Sequence, residues 1–432
     1  MAVSNTATPP EKMINFAGMR KFGFRNTLTA VLLLLSLASC ERDNPSTTRE
    51  YSKVVIYCGL GYNNLSASLR NNLEQLRQGN LPYSSSDKAI VAFCHNTAQG
   101  EGYTTANPPV LLQFCNRDGQ NVIDTLKTYP SDMESATAES ITKVLFDIRE
   151  LFPSRSYGMI FSSHSTGWTP CGYQATEEGV SIMSTSMDAQ QEDFPLTKSL
   201  GSQYLGSYRN NLEIDLSEFA AAIPMKLEYI IFDSCLMGGV EVAWELKDVC
   251  DKIVFSPAEI LAEGFVYKPF AWHLLALREP DLKSICEDYF NYYDAQSGSS
   301  RSATVTLLDC HGLEKLAQVY SGIIASHRDG FESIDRSKVQ PYFYSAGSGT
   351  KDWFFDLRDA AVQAGAFSGE LASLDAALAD CIEYHAETDY FFKTPLERCC
   401  GLSTYLPSPS RPKLTAYYKG LGWNRAVGLV GE

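Results

Sequence analysis

The sequence predicts an α/β protein built on a doubly wound, largely parallel sheet flanked by helices, with a helix-rich C-terminal subdomain. Three observations predict it. Short apolar runs recur at 53–58, 89–94, 110–115, 157–162, 227–233, 252–255 and 303–309, mostly with helix-length segments between them. That alternation marks parallel strands covered by helices on both faces. After about residue 270 the apolar spacing becomes helical. No fixed-period repeat runs through the chain and no Gly-rich phosphate loop follows a strand, which sets aside repeat solenoids and phosphate-cradling versions of the same architecture.

Taken in order, residues 1–39 precede the globule. Arg20, Lys21 and Arg25 stand before Leu28-Thr-Ala-Val-Leu-Leu-Leu-Leu-Ser-Leu-Ala-Ser39, a charged stretch followed by an apolar one too short to span a bilayer. This reads as a secretory signal, with Met19 as its expected true start. The ending Leu37-Ala-Ser-Cys40 resembles a bacterial lipoprotein cleavage box, so Cys40 is expected to carry lipid and to begin the mature chain; ordinary cleavage nearby is the alternative. Each buried CH₂ of an acyl chain contributes about 0.8 kcal/mol to anchoring. Residues 40–50 are polar and form a tether. The expected location is the bacterial cell envelope, lipid-anchored, at the periplasmic face or the cell surface.

Residues 51–270 are expected to form the α/β domain. Two of its strands end in chemistry. Tyr157-Gly-Met-Ile-Phe-Ser-Ser-His164 and Leu227-Glu-Tyr-Ile-Ile-Phe-Asp-Ser-Cys235 each carry a reactive side chain just past an apolar run. Ligands of open α/β sheets bind beyond the carboxyl ends of the strands. If the two strands are neighbours, an imidazole and a thiol emerge side by side, the arrangement that nucleophilic acyl transfer needs. A neighbouring imidazole lowers a thiol pKa from about 8.5 and makes thiolate available near neutral pH. The segment 236–246 is apolar at 236, 240, 243, 244 and 246, so it is expected to open a helix whose N-terminal dipole favours a negative sulfur. Backbone N–H groups of Cys235 and Ser165 are the candidate oxyanion donors.

Between these strands, residues 186–215 hold few apolar residues and several turn formers, the mark of a functional or disordered loop. Residues 271–432 form the expected C-terminal subdomain that completes the unit. Helical spacing is clearest at Leu313, Leu316, Tyr320, Ile323 and Ile324 and across Leu371 to Tyr384, with a return strand at 401–406.

The blocks around the two reactive residues resemble the clostripain family of cysteine peptidases, within the wider caspase, legumain and gingipain group. Ser162-Ser-His-Ser-Thr-Gly-Trp168 is similar to that family's histidine block and Asp233-Ser-Cys-Leu-Met-Gly-Gly-Val-Glu241 to its cysteine block. Lys53-Val-Val-Ile-Tyr with Asn63-Asn64-Leu65, Asp352-Trp-Phe-Phe-Asp-Leu357 and Gly401-Leu-Ser-Thr-Tyr-Leu-Pro407 are weaker echoes. The resemblance implies a caspase-like sheet, a Cys235–His164 dyad with no strictly required third member, and protein or peptide substrates. It implies that Asp233 lines a pocket for a basic side chain, with Glu263 a second candidate, and hence cleavage after Arg, less readily after Lys. It also implies self-cleavage between the blocks, for which Lys198 and Arg209 are the available basic sites. Two departures stand out. Ser165 and Thr166 occupy positions where the family has glycines, and Ser256 to Tyr267 lacks the family's acidic Gly-rich pattern.

Other readings stay open from sequence alone. Asp233 is equally a turn residue, and the loop at 186–215 equally one that is never cut. A catalytically silent surface-binding lipoprotein on this fold and a related peptidase or acyl transferase with a non-basic pocket are the rival functions. Removing residues 1–39 takes away four basic residues and Glu11, leaving 32 basic against 50 acidic and a net charge of −18. That sign disfavours nucleic acid and mildly favours basic peptides. A monomer is expected. No cofactor or metal motif is present; Asp188, Glu192 and Asp193 lack EF-hand spacing for calcium. Adjacent Cys399 and Cys400 lack zinc spacing. Cys58, Cys94, Cys115, Cys250, Cys286, Cys310 and Cys381 fit core positions, and His95, His273, His311, His327 and His385 fit surface or capping ones.

Overall fold

A computed structural model describes residues 49–98, 105–173, 213–343 and 353–431. The centre is a nine-stranded sheet in the order β10-β8-β7-β6-β5-β1-β2-β3-β4. Its strands are β1 (Lys53–Gly61), β2 (Lys88–Asn96), β3 (Val110–Arg117), β4 (Gln120–Thr128), β5 (Tyr157–Ser162), β6 (Leu227–Asp233), β7 (Cys250–Phe255), β8 (Thr304–Asp309) and β10 (Ile382–Glu387). The five middle strands, β7-β6-β5-β1-β2, are parallel, and antiparallel strands extend the sheet at both edges. β1, β5 and almost all of β6 are buried along their length, which is why they read as unbroken apolar runs rather than alternating ones.

Two edge strands depart from the sequence reading. β4 was unforeseen because its residues alternate between half-buried and exposed. It is reached through Asp118 and Gly119, both at positive φ, 53° and 82°, the two-residue hairpin turn whose twist suits antiparallel strands. β10 occupies residues expected to continue a helix to Tyr384. The helix stops at Cys381, and Ile382 to Glu387 pair with β8.

The helices are α1 (Ser66–Arg77), α2 (Ala138–Leu151), α3 (Leu216–Ala222), α4 (Val240–Leu246), α5 (Phe270–Leu275), α6 (Leu282–Asp294), α7 (Leu313–Ser326), α8 (Arg328–Glu332), α9 (Leu357–Gln363), α10 (Ser368–Cys381), α11 (Pro412–Lys419) and α12 (Gly422–Val427). Short ladders join β9 (Phe355–Asp356) to β13 (Ser403–Thr404) and β11 (Tyr390–Phe391) to β12 (Thr394–Pro395). The expected return strand at 401–406 is thus a two-residue ladder. Strand alternation splits the core. Phe161 and Phe232 pack with Phe219 of α3 on one face, at ring separations of 5.1 to 6.1 Å. On the other face Tyr57 meets Tyr267, which stacks on Phe270. Residues 49–432 form one compact unit. The seven cysteines assigned to the core are all buried.

Candidate active site

The site is built by register. β5 and β6 are hydrogen-bonded parallel neighbours in which Ser162 lies opposite Asp233. His164 and Cys235 therefore each stand two residues past a matched pair, at the carboxyl edge of the sheet. β1 lies on the other side of β5 and pairs with β2. The strand order reverses there, which is the position where open α/β sheets place their ligand crevice.

The two turns are tied together. The Ser165 hydroxyl donates to the Cys235 carbonyl. Ser165 and Thr166 do not have positive φ, whereas Gly167 does, at 64°, and a Cβ there would sit 2.5 Å from the Leu236 carbonyl oxygen. The chain thus keeps glycine where the backbone demands it, and the two substitutions beside it are conformationally harmless.

His164 is 7% exposed, and its Nε2 donates to the Asn64 side-chain oxygen at 2.6 Å. That bond orients the ring with a proton on Nε2, which makes Nδ1 the basic nitrogen of the neutral imidazole. Asn64, which the sequence did not single out, is the residue that holds the ring by this bond. Its only sequence signal was the Asn63-Asn64-Leu65 echo after β1, because the two partners lie 100 residues apart.

Cys235 is fully buried. Its sulfur accepts the Ile260 N–H at 3.0 Å and its thiol donates to the Ile260 carbonyl at 3.4 Å. The next residue, Leu236, takes φ of 61°, a left-handed conformation that costs a non-glycine residue energy. Its N–H donates to the Ala258 carbonyl at 2.9 Å, and Gly238 N–H to the Ser256 carbonyl at 2.8 Å. The expected helix at 236 is absent. α4 begins only at Val240, so no helix N-terminus stands at the sulfur, and the turn is shaped instead by these bonds and by Gly238. A Cβ at Gly238 would lie 2.3 Å from Pro257 N.

Asp233 is fully buried on the face of Tyr57 and Tyr267. Its Oδ2 accepts from the Ser162 hydroxyl at 2.8 Å and the Tyr267 hydroxyl at 2.7 Å. Glu263 is exposed and accepts from the Tyr292 hydroxyl at 3.0 Å. Glu259, which sequence reading passed over, is a nearly buried carboxylate beside Ile260.

On the opposite face a cavity of about 90 Å³ opens beside His164, walled by Leu60, Phe161, Phe219, Phe232 and Met237 among others. At the neighbouring strand end His95 is buried, not superficial. Its Nδ1 pairs with the Ser135 hydroxyl at 2.6 Å, and burial lowers its pKa to about 4. Cys40, Lys198, Arg209, Asp188, Glu192 and Asp193 lie outside the described residues. Among the described residues no cluster of three or more His, Cys, Asp or Glu could hold a metal ion, and no helix is long and apolar enough to cross a membrane.

A model of the clostripain family matches residues 60–344. No curated protein matches the chain. Among solved structures, an inactive zymogen C11 protease from Parabacteroides distasonis superposes with a TM-score of 0.68 at 22% identity, over 88% of this chain and 98% of the other. The secreted C11 cysteine protease iotapain from Bacteroides thetaiotaomicron gives 0.67 at 22% identity, over 88% and 99%. A secreted C11 protease from the same organism, in complex with an irreversible peptide inhibitor, gives 0.67 at 19% identity, over 87% and 99%. At these identities the likeness is one of fold. The family match covers well over half of the sequence, and by it this chain belongs to the clostripain family of cysteine peptidases.

Proposed function

We propose that this chain is a cysteine endopeptidase that works through Cys235 and His164, cleaves protein or peptide substrates after Arg and less readily after Lys, acts as a monomer, and is held at a bacterial membrane by lipid on Cys40. The observation that carries the reading is the shared register of β5 and β6, with the Ser165 hydroxyl bonded to the Cys235 carbonyl. The thiol proton passes to His164 Nδ1 and the sulfur attacks the scissile carbonyl. The C–N bond breaks as His164 returns the proton to the departing amine, and water activated by the same ring then hydrolyses the thioester. Asn64 holds the imidazole for both transfers. Backbone N–H groups of Cys235 and Ser165 receive the oxyanion.

The conformation described is latent. Ile260 covers the sulfur, and the Tyr267 hydroxyl occupies Asp233. One displacement, of the segment from Ile260 to Tyr267, would open the thiol and free the Asp233 carboxylate for a guanidinium fork, with Glu259 or Glu263 adding negative charge. Self-cleavage at Lys198 or Arg209 is the proposed trigger.

The test is turnover of fluorogenic peptides ending in Arg, Lys, Asn or Asp by the purified chain, beside Cys235→Ala. Arg is expected first and Cys235→Ala silent. Turnover that survives the substitution would eliminate the dyad, and cleavage after Asn or Asp alone would eliminate the basic pocket. Scission near Lys198 or Arg209 should vanish in Cys235→Ala.

A further inference from the structure

We infer that the cavity beside His164 is the subsite for the side chain immediately after the scissile bond, and that it selects an apolar residue such as Leu or Met. The inference rests on the peptidase reading above. In that chemistry the acyl half stays on sulfur, while the amine half leaves from the nitrogen that protonates it. A pocket that borders the imidazole on the sheet face opposite Asp233 therefore serves the leaving half. His164, Ser163 and Ser165 border this cavity.

The two sheet faces separate the two halves of a substrate. Asp233 and Ser162 share one face, with Tyr267. Phe161 and Phe232, one residue earlier on each strand, point to the other and wall the cavity with Phe219. Asp233, Glu259 and Glu263 are not among its walls, so a basic side chain finds no buried carboxylate from them. Glu213 borders the cavity, but its Oε2 accepts the Gly172 N–H at 2.9 Å, and burial raises its pKa and so disfavours its charge. Walls of aromatic and aliphatic side chains suit an apolar residue.

The experiment uses quenched peptides identical except for the residue after the cleaved Arg: Gly, Ala, Leu or Lys. Leu is expected to exceed Gly in kcat/KM by about tenfold or more, with Ala between them. Equal values, or Lys first, would overturn the subsite. Ile214 also borders the cavity, so Ile214→Trp, which places a ring at its wall, should pull the Leu-to-Gly ratio toward one; an unchanged ratio counts against the assignment. A readout that needs no turnover is carbethoxylation of His164. Leucinamide should slow it saturably and glycinamide should not, and an absence of protection would overturn the inference. The two readings fail separately. Cleavage that persists in Cys235→Ala removes the dyad, whereas Cys235-dependent cleavage without a ranking removes only the subsite.

Discussion

Glu241 offers a test of how the C-terminal segment is held to the turn that carries Cys235. It lies in the first turn of α4 and is fully buried. Its Oε1 accepts from the Thr404 hydroxyl and Tyr405 N–H, both at 2.9 Å, and from the Tyr418 hydroxyl at 3.1 Å. Burial raises its pKa from 4.5 to about 7 against the pull of those donors. The folded state therefore holds a proton that the unfolded chain has already lost between these values. Stability from this group is greatest below 4.5, falls as pH rises toward 7, and is flat above. The linkage relation makes the change between pH 5 and pH 8 about 2–3 kcal/mol. Glu241→Gln keeps the accepting oxygen and removes the titration. Urea unfolding of both proteins should then show their stability difference shifting by that amount in the variant's favour on going from pH 5 to pH 8. Carboxyls whose pKa values are lowered, such as Asp147 and Asp281, titrate alike in both and cancel. A difference that stays constant across this range would refute the reasoning.

Three further outcomes are expected. Asn64→Ala should lower kcat by roughly tenfold to a hundredfold while KM changes little, because the ring loses its orientation and not its substrate; Asn64→Asp, which keeps an acceptor, should recover part of it. Gly167→Ala should destabilise the fold by more than about 1 kcal/mol in urea unfolding, since φ is positive and the new Cβ meets the Leu236 carbonyl. Ile260→Pro removes the N–H that reaches the sulfur, so iodoacetamide should alkylate Cys235 faster than in the parent chain. An unchanged rate, read by peptide mass mapping, would show that Ile260 does not cover the thiol.

What the sequence disclosed follows burial. β5 and β6 are covered on both faces, so their apolar runs stand out and their polar endings, Ser162-Ser-His164 and Asp233-Ser-Cys235, could be placed at one edge. β4 is half exposed and lacks that mark, although Asp118-Gly119 was a readable hairpin turn. At β10, Ile382 and Tyr384 fall in phase with the apolar residues of α10, and only pairing with β8 draws them out of the helix. The absent helix at 236 shows the limit of periodicity. Leu236 fits the spacing, but its N–H is committed to the Ala258 carbonyl, a contact from another loop. Asn64 was beyond reach for the same reason, since what singles it out is a partner on a different strand end.

The contacts that hold the Cys235 turn also mark which part of its cover is anchored. Leu236 holds a left-handed conformation worth about 1–2 kcal/mol of strain, and it is kept there by the Ala258 carbonyl and by the space left at Gly167. Ser256 and Ala258 are in turn anchored to β8, through Ser256 Oγ and Ala258 N, which meet Thr304 Oγ1 at 2.5 and 3.2 Å. Releasing them would undo the turn and scatter Cys235. Ile260 meets the site through the sulfur bonds. A pivot between Ala258 and Ile260, at Glu259, would open the thiol while leaving those anchors in place. Such a pivot would withdraw Ile260 from the thiol and move the carboxylate of Glu259 at the same edge of the sheet.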